Sequence, residues 1–204
     1  MGVIIIDSVA WVPYAPGMRV SKQESEKNRQ EILDVAEKLF RERGFDGVGV
    51  ADLMKAAGFT HGGFYNHFSG KDELEREATK AVFQRSNADF RHQVQAGRWK
   101  EYARDYLTPK HRDDPGTGCP LSALAPDAVR KGPELQGCFA RGIEEVISAL
   151  SGYLKDEGEP KPREQAMQML SELIGAMILS RAVASAAPKL SKDLLSATRH
   201  KLTS

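Results

Sequence analysis

Cysteine is scarce in this chain, with Cys119 and Cys138 as the two examples in 204 residues. Two cysteines are too few for a disulfide framework, and they lack the CxxC spacing of a zinc site. The histidines His92, His111 and His200 show no HExxH spacing, so neither a metal site nor a cofactor is expected. Such a composition suits a reducing compartment, and the cytoplasm is the simplest expectation.

An excess of charge of one sign is also missing, since 29 Lys and Arg stand against 28 Asp and Glu. Bulk electrostatics therefore does not indicate nucleic acid, and any affinity for DNA must come from the local placement of charge. Long apolar runs are missing too, because no stretch approaches the roughly 20 uncharged residues of a membrane span. No membrane partner is expected.

The N-terminal apolar run from Val3 to Ile6 is shorter than that of a signal peptide, and no Lys or Arg precedes it. Met18 stands where a conventional start is expected. Residues 1–17 are therefore interpreted as an added or misassigned upstream segment, or else as an arm that packs on the body. Residues 1–20 are set apart as an N-terminal extension.

Helical periodicity is what the sequence does have, from Lys22 almost to the end. A hydrophobic fraction of 41% suffices for a core, so the chain is predicted to be all-α, with about nine helices. The predicted spans are Glu24–Arg43, Val50–Ala57, Thr60–Phe68, Lys71–Val94, Arg98–Leu107, Leu121–Val129, Pro133–Leu154, Arg163–Ala186 and Lys192–Leu202. Residues 108–118, TPKHRDDPGTG, are rich in helix breakers and are predicted to be a loop.

Two short predicted helices around Gly58 form a helix-turn-helix pattern, which is typical of DNA-binding domains. Thr60 is expected to cap the second of them, and Phe64 and Phe68 to anchor it to the core. Gly62 and Gly63 weaken an isolated helix by roughly 1 kcal/mol each relative to alanine. Close approach to DNA explains them better than a purely structural role. The side chains expected to point partly outward are His61, Tyr65, Asn66 and His67.

The helix after this pattern is expected to begin with a capping box. Ser69 starts the run S-G-K-D, which has the [ST]-x-x-[DE] spacing with Asp72 as the acidic partner.

Residues 31–74 resemble the DNA-binding domain of the TetR/AcrR family of bacterial regulators. The resemblance lies in EILDVAEKLFRERGFDGVGVADLMKAAGFTHGGFYNHFSGKDEL, with its LFRERGF, AAG and THGGFYNHF segments. It implies a helix-turn-helix DNA-binding domain over residues 21–70 and an effector-binding and dimerisation domain over residues 71–204. Phosphate contacts are expected from Tyr65, His67 and Lys71, and the bases are expected nearest Thr60, His61 and Gly63.

By the same resemblance, the protein is expected to be a homodimer that leaves a palindromic operator when a small molecule binds. The last two helices are expected to form the dimer interface, through Leu173, Ala176, Met177, Ser180 and Leu194. The effector pocket is expected among residues that could equally be core, namely Phe83, Phe90, Trp99, Tyr102, Tyr106 and Cys119.

Three other functions remain open at this stage. Cys119 follows a flexible loop near a helix start, where a thiol becomes more reactive, so the protein could be a redox or electrophile sensor. The alternative is that Cys119 is a small apolar packing residue. An enzyme is disfavoured because no nucleophile elbow, phosphate loop or metal triad occurs. A helical adaptor would differ from a DNA binder in its weak dependence on salt.

Overall fold

The computed structural model describes residues 21–204, and within this range the chain is entirely helical, with nine α-helices and one 3-10 helix. The predicted all-α class is thus confirmed, while the expectations for residues 1–20 lie outside the described range. The helices are α1 Lys22–Arg43, α2 Val50–Ala56, η1 His61–Asn66, α3 Lys71–Gln95, α4 Trp99–Tyr106, α5 Pro109–Asp113, α6 Pro120–Ala128, α7 Pro133–Asp156, α8 Pro162–Val183 and α9 Pro188–Thr203.

The ends of α1 follow from its capping residues. The Ser21 hydroxyl accepts a hydrogen bond from the Glu24 amide at 3.1 Å, which starts the helix two residues before the predicted Glu24. At the other end Gly44 has φ +74°, a conformation that glycine adopts most readily, and its amide donates to the Phe40 carbonyl. The ring of Phe45 then lies 5.3 Å from that of Phe40. The helix therefore ends at Arg43, as its predicted span did.

The second helix of the helix-turn-helix differs from its prediction. It is a 3-10 helix over His61–Asn66, and the side chain of Thr60 makes no capping hydrogen bond. Two successive glycines and a short length leave little intrinsic preference for an α-helix. The segment is held instead by the buried rings of Phe64 and Phe68.

The start of α3 also departs from the predicted capping box. The N-cap residue is Gly70, and Ser69 bonds to Glu73 rather than to Asp72. Its amide and its hydroxyl both donate to the Glu73 carboxylate, at 2.7 and 2.6 Å. One carboxylate thus satisfies two donors at the entry to the helix.

The predicted loop at residues 108–118 contains a further short helix, α5. Thr108 accepts a hydrogen bond from the His111 amide at 3.2 Å, and Pro109 occupies the first helical position. Proline is favoured there because its missing amide hydrogen would have no helical partner. The prediction of a loop was therefore wrong for residues 109–113, where a short capped helix forms among residues that usually break helices.

The remaining helices form one bundle around the apolar face of α7. This helix lies between α3 and α8, and α9 packs against the far side of α8. The first helix, α1, contacts both α3 and α6, so the helix-turn-helix rests directly on the larger helical body. Both α3 and α6 therefore pack directly against the helix that supports the helix-turn-helix.

Helix α8 is apolar around most of its circumference. Within the described residues it is the one helix whose length and composition would allow it to cross a membrane, a test that core helices also pass. One of its faces is buried in the bundle, while Met167 and Leu179 lie outside that face and are 41% and 55% exposed. An apolar face left uncovered in one chain indicates a surface for association.

Candidate nucleic-acid interface and effector cavity

The helix-turn-helix is built on a small aromatic core. Helix α2 directs Leu53 and Met54 inward, and Gly58, with φ +81°, turns the chain towards η1. The rings of Phe64 and Phe68 stack with centroids 5.5 Å apart and are almost completely buried. These contacts fix which edge of η1 faces solvent.

That outer edge carries most of the residues predicted to contact DNA. The side chain of Tyr65 is 65% exposed, and His61 lies beside it with the two rings edge to face at 6.2 Å. The other members are exposed or half-buried on the same segment, namely Thr60, Gly62, Gly63, Asn66 and His67. The structure therefore places hydrogen-bond donors, hydrogen-bond acceptors and two glycines without side chains together on the exposed side of this segment. We call these residues the exposed row.

The two glycines of η1 are not required by internal packing. A Cβ atom on Gly62 would meet nothing within 4 Å, and one on Gly63 would meet Thr60 and Met54 at ordinary distances of 3.6 and 3.7 Å. Neither residue has a positive φ. Packing within the chain therefore does not require glycine at either position.

Lys71 lies at the start of α3 but its ammonium group has internal partners. It donates to the Phe45 carbonyl at 2.6 Å and lies 3.5 Å from the buried carboxylate of Glu75. Lys131, beyond α6, contacts the same carboxylate at 3.1 Å and Asp46 at 2.7 Å. Burial alone disfavours the charge on Lys131, but these two acidic partners raise its pKa overall. The sequence pattern did not reveal this shared carboxylate.

The predicted dimer residues are corrected by their burial. Leu173, Ala176 and Met177 lie inside the bundle of their own chain, and the Ser180 hydroxyl bonds to Ser191 of α9. They cannot form a surface. Leu194 is half-buried, and the large apolar side chains exposed on these two helices are Met167, Leu179 and Leu190. Because α8 is apolar on several faces, its sequence alone could not tell the buried face from the exposed one.

The predicted effector residues divide between two cavities and the core. A cavity of about 910 Å³ is lined by Tyr102, Tyr106 and Cys119. Phe83 and Phe90 border only a much smaller space of about 20 Å³ beside it. Trp99 borders neither cavity and packs against Phe90, which corrects its assignment to the pocket.

Helix α1 supplies one wall of the large cavity through Glu37 and Arg41, which sequence reasoning missed. Their i,i+4 spacing with opposite charges was the available hint. Glu37 is 3% exposed and pairs with Arg85 of α3, while Arg41 donates through two of its nitrogens to the Gly116 carbonyl. The cavity is thus lined by α1 together with α3, α4 and α5.

Another part of the cavity wall is held in place by hydrogen bonds of His111. The Cys119 amide donates to His111 Nε2 at 3.2 Å, so a neutral ring carries its proton on Nδ1 and donates to the Tyr106 carbonyl at 2.9 Å. Burial lowers the pKa of His111, and the nearby Arg181 guanidinium lowers it further. Arg181 itself donates to the carbonyls of His111 and Arg112. Helix α8 therefore holds the segment that carries Cys119.

Burial raises the pKa of both cavity tyrosines, Tyr102 and Tyr106, so their hydroxyls stay protonated near neutral pH. Cys119 is half-buried at the N-cap position of α6. Within residues 21–204, no three His, Cys, Asp or Glu side chains converge closely enough to hold a metal ion.

The sequence of this chain matches a family described as "Bacterial regulatory proteins, tetR family" over residues 32–78. Among curated relatives, it is 44% identical over 59 residues to the HTH-type transcriptional regulator AcrR of Shigella flexneri, covering 29% of this chain and 27% of that protein. It is 23% identical over 180 residues to the HTH-type transcriptional repressor NemR of Escherichia coli K12, covering 79% and 88%. The first alignment thus concerns little more than the DNA-binding segment.

Solved structures extend the likeness of fold to nearly the whole chain. The reduced form of Escherichia coli NemR superposes with a TM-score of 0.71 at 22% identity, covering 85% of this chain and 96% of that one. A TetR transcriptional regulator from Chloroflexus aurantiacus superposes with a TM-score of 0.74 at 18% identity, covering 89% and 94%. The helical body after residue 78 therefore has the same architecture as these proteins.

Proposed function

The chain belongs to the TetR/AcrR family of DNA-binding transcriptional regulators, and we propose that it is a cytoplasmic repressor whose homodimer releases a palindromic operator when a small molecule binds. The observation that carries the proposal is the exposed row on η1, where His61 and Tyr65 flank two glycines that internal packing does not require. A helix presented in this way fits the major groove, and its side chains can reach base edges.

The proposed domains are residues 21–70 for DNA binding and residues 71–204 for effector binding and dimerisation. Ion pairs join them, since Arg29 of α1 contacts Glu77 of α3, and Glu37 of α1 contacts Arg85 of α3. A ligand that shifts α3 would thereby shift η1. Such coupling between two sites is typically worth about 1–3 kcal/mol.

A dimer is proposed because two half-sites one helical turn apart need two recognition helices. The exposed apolar side chains Leu179 of α8 and Leu190 of α9 supply the proposed contact surface. Four helices, two from each protomer, would then cover the apolar face of α8 that one chain leaves open.

The test begins with selection of bound sequences from random DNA, followed by titration of the selected site at several salt concentrations. The expected result is a preferred near-palindromic sequence whose affinity falls steeply with salt, because bound phosphates release counterions. A helical adaptor or an enzyme would show no such dependence, and that outcome would reject the proposal.

The substitution His61→Ala tests the contribution of one residue. It should cost roughly 1–3 kcal/mol on the selected site and little on random DNA, because a lost base contact flattens sequence preference. His92→Ala, at an exposed position on α3, is the matched control and should leave both affinities unchanged.

A second candidate is a thiol sensor, favoured by the position of Cys119 on the wall of the large cavity. Peroxide would convert the thiol to a sulfenic acid, with water as the other product. Mass measurement after mild peroxide treatment would reveal one added oxygen atom if the thiol is accessible. On the leading proposal, Cys119→Ser leaves operator binding and effector response intact. Oxidant-dependent release of the wild type but not of Cys119→Ser would establish the sensor instead.

A further inference from the structure

Arg29 of α1 has its guanidinium group occupied by partners within the chain. The side chain is 23% exposed, and its Cζ atom lies 4.7 Å from the centroid of the Phe68 ring. One of its nitrogens forms a close ion pair with Glu77 and lies 4.0 Å from the carboxylate of Glu73. This arginine is therefore tied to the residues that follow η1 and to the first turns of α3.

The aromatic partner of Arg29 leads to the exposed row. Phe68 is 2% exposed and stacks on Phe64 with the ring centroids 5.5 Å apart. The ring of Phe64 meets that of Tyr65 edge to face at 5.3 Å, and Tyr65 belongs to the exposed row. A guanidinium over an aromatic ring is attracted by the negative face of that ring. Arg29 thus acts on the exposed row through two buried rings.

The acidic partners of Arg29 lead to α3. Glu73 accepts hydrogen bonds from the amide and the hydroxyl of Ser69, at 2.7 and 2.6 Å. These bonds, together with the charge of Arg29, hold the pKa of Glu73 below its ordinary value, so the carboxylate is ionised near neutral pH. Glu77 lies one helical turn further along α3. Arg29 therefore contacts both sides of the junction between η1 and α3.

Other packing at this junction is slight. The main packing partner of η1 is α2 rather than α3. Residues 67–70 join η1 to α3, and a Cβ atom on Gly70 would meet nothing within 4 Å. Because few contacts hold the junction, the contacts of Arg29 carry much of the orientation of η1 relative to α3.

We propose that Arg29 is a positioning residue for DNA recognition, which holds η1 at the orientation that presents the exposed row to the major groove. It contributes no phosphate contact of its own, although phosphate contact is the commonest role of an arginine in a DNA-binding domain. The inference rests on the proposed function, because it takes η1 as the segment that contacts DNA.

Arg29→Gln tests the proposal through its dependence on salt. We expect affinity for the selected operator to fall about tenfold and affinity for random DNA to change less than about threefold. The salt slope should stay as in the wild type. A phosphate contact would instead lower the slope by roughly one unit and weaken both DNAs alike, and this result would overturn the proposal.

A merely structural role for Arg29 gives a different result. It would lower the melting temperature but leave the ratio of operator to random affinity unchanged in the folded protein, and that result too would overturn the proposal. Arg104→Gln is the matched control, because it removes an arginine with an ion pair to Glu101 on α4, and it should keep wild-type binding of both DNAs.

Glu77→Gln separates position from charge, and it keeps the proposal testable if Arg29→Gln does not fold. Removal of a carboxylate makes the protein less negative, so charge alone would raise its affinity for DNA. We expect operator affinity to fall at least about threefold instead, because Arg29 loses its closest partner. Asp72→Asn, at an exposed position of the same helix, makes the same change of charge and should leave operator affinity unchanged or raised. A rise in Glu77→Gln would overturn the proposal.

Arg29→Lys is the conservative variant. Lysine keeps the charge that pairs with Glu77 but cannot lie flat on the Phe68 ring, so its operator affinity should fall between those of the wild type and Arg29→Gln. Affinity no better than that of Arg29→Gln would contradict the part assigned to the ion pair. A wild type that selects no DNA sequence rejects the proposed function itself. A selective wild type with an equally selective Arg29→Gln rejects only the positioning role.

Discussion

Lys71 donates a hydrogen bond to the main-chain carbonyl of Phe45 at 2.6 Å, and this bond ties the first turn of α3 to the loop after α1. The same ammonium group lies 3.5 Å from Glu75, whose carboxylate is almost fully buried. A residue expected at the DNA backbone is therefore also a link inside the DNA-binding unit. Two separable effects should follow from its removal.

Lys71→Ala should lower the free energy of unfolding by about 1–3 kcal/mol, because the Phe45 carbonyl loses its donor. The loss should not be larger, because Glu75 keeps Lys131 as an ion-pair partner. Operator affinity should weaken about equally across sequences, and the salt slope should shrink by roughly one unit. Urea denaturation measures the free energy of unfolding, and filter binding measures operator affinity and its dependence on salt. Lys80→Ala, on an exposed face of α3, should change neither. An unaltered salt slope in the folded Lys71→Ala protein would remove Lys71 from the phosphate contacts.

Gly63→Val should abolish operator binding while the protein stays folded. A Cβ atom at this position meets its neighbours only at ordinary distances, so the protein interior tolerates it. The added side chain would instead hold the backbone of η1 away from the groove. Circular dichroism and thermal melting follow the fold, and Gly152→Val on the exposed side of α7 is the control. Tight, specific operator binding by folded Gly63→Val would show that this segment does not enter the groove.

Leu179→Asp should convert the homodimer to a monomer without unfolding it, and operator affinity should fall with it. The side chain is 55% exposed, so the charge disturbs an association surface rather than the core. Sedimentation at micromolar concentration gives the oligomeric state. Val129→Asp, at an apolar position that is 77% exposed but far from α8 in sequence, should remain dimeric. Dimers that persist in Leu179→Asp would place the interface elsewhere.

Leu173→Asp should behave differently from Leu179→Asp on the same helix. Leu173 is buried in the bundle, so an unpaired carboxylate there should unfold the protomer. A cooperative melt close to that of the wild type, combined with loss of the dimer, would restore Leu173 to the interface.

Stability should decline as the pH falls below about 6.5, in part because of His111. Burial lowers the pKa of this ring in the folded chain relative to the unfolded one, so the unfolded state binds the proton more tightly. The loss therefore begins near the unfolded value and grows until the pH reaches the lower folded value. A protonated ring would also turn a donor towards the Cys119 amide. His111→Gln should flatten this part of the profile, and His92→Gln should not. If the stability of wild type and of His111→Gln falls equally with pH, the His111 ring is not the cause of the decline.

Local signals determined much of the fold. The end of α1 at Arg43 and the aromatic anchors Phe64 and Phe68 followed from the residues themselves, because helix ends and i,i+4 packing depend on near neighbours along the chain. The same locality made the exposed row on η1 predictable, because the buried rings of Phe64 and Phe68 fix the inner side of the segment and leave the residues between them on the outer side.

Local signals failed where a stronger partner lay nearby. Ser69 bonds to Glu73 rather than Asp72, and residues 109–113 form a helix despite the breakers around them. In each case the spacing of the residues was compatible with more than one arrangement. The surrounding chain selected one of them.

The sequence by itself determined that this protein is all-helical, that it carries a helix-turn-helix, and which segment is proposed to contact DNA. The tertiary structure decided which face of α8 is core and which is free, because an apolar helix has no periodicity to mark the difference. It also brought Arg41 of α1 and Tyr106 of α4 to the wall of one cavity, across more than sixty positions of the chain. That meeting depends on how α1, α3 and α6 pack together, a long-range relationship that no local pattern encodes.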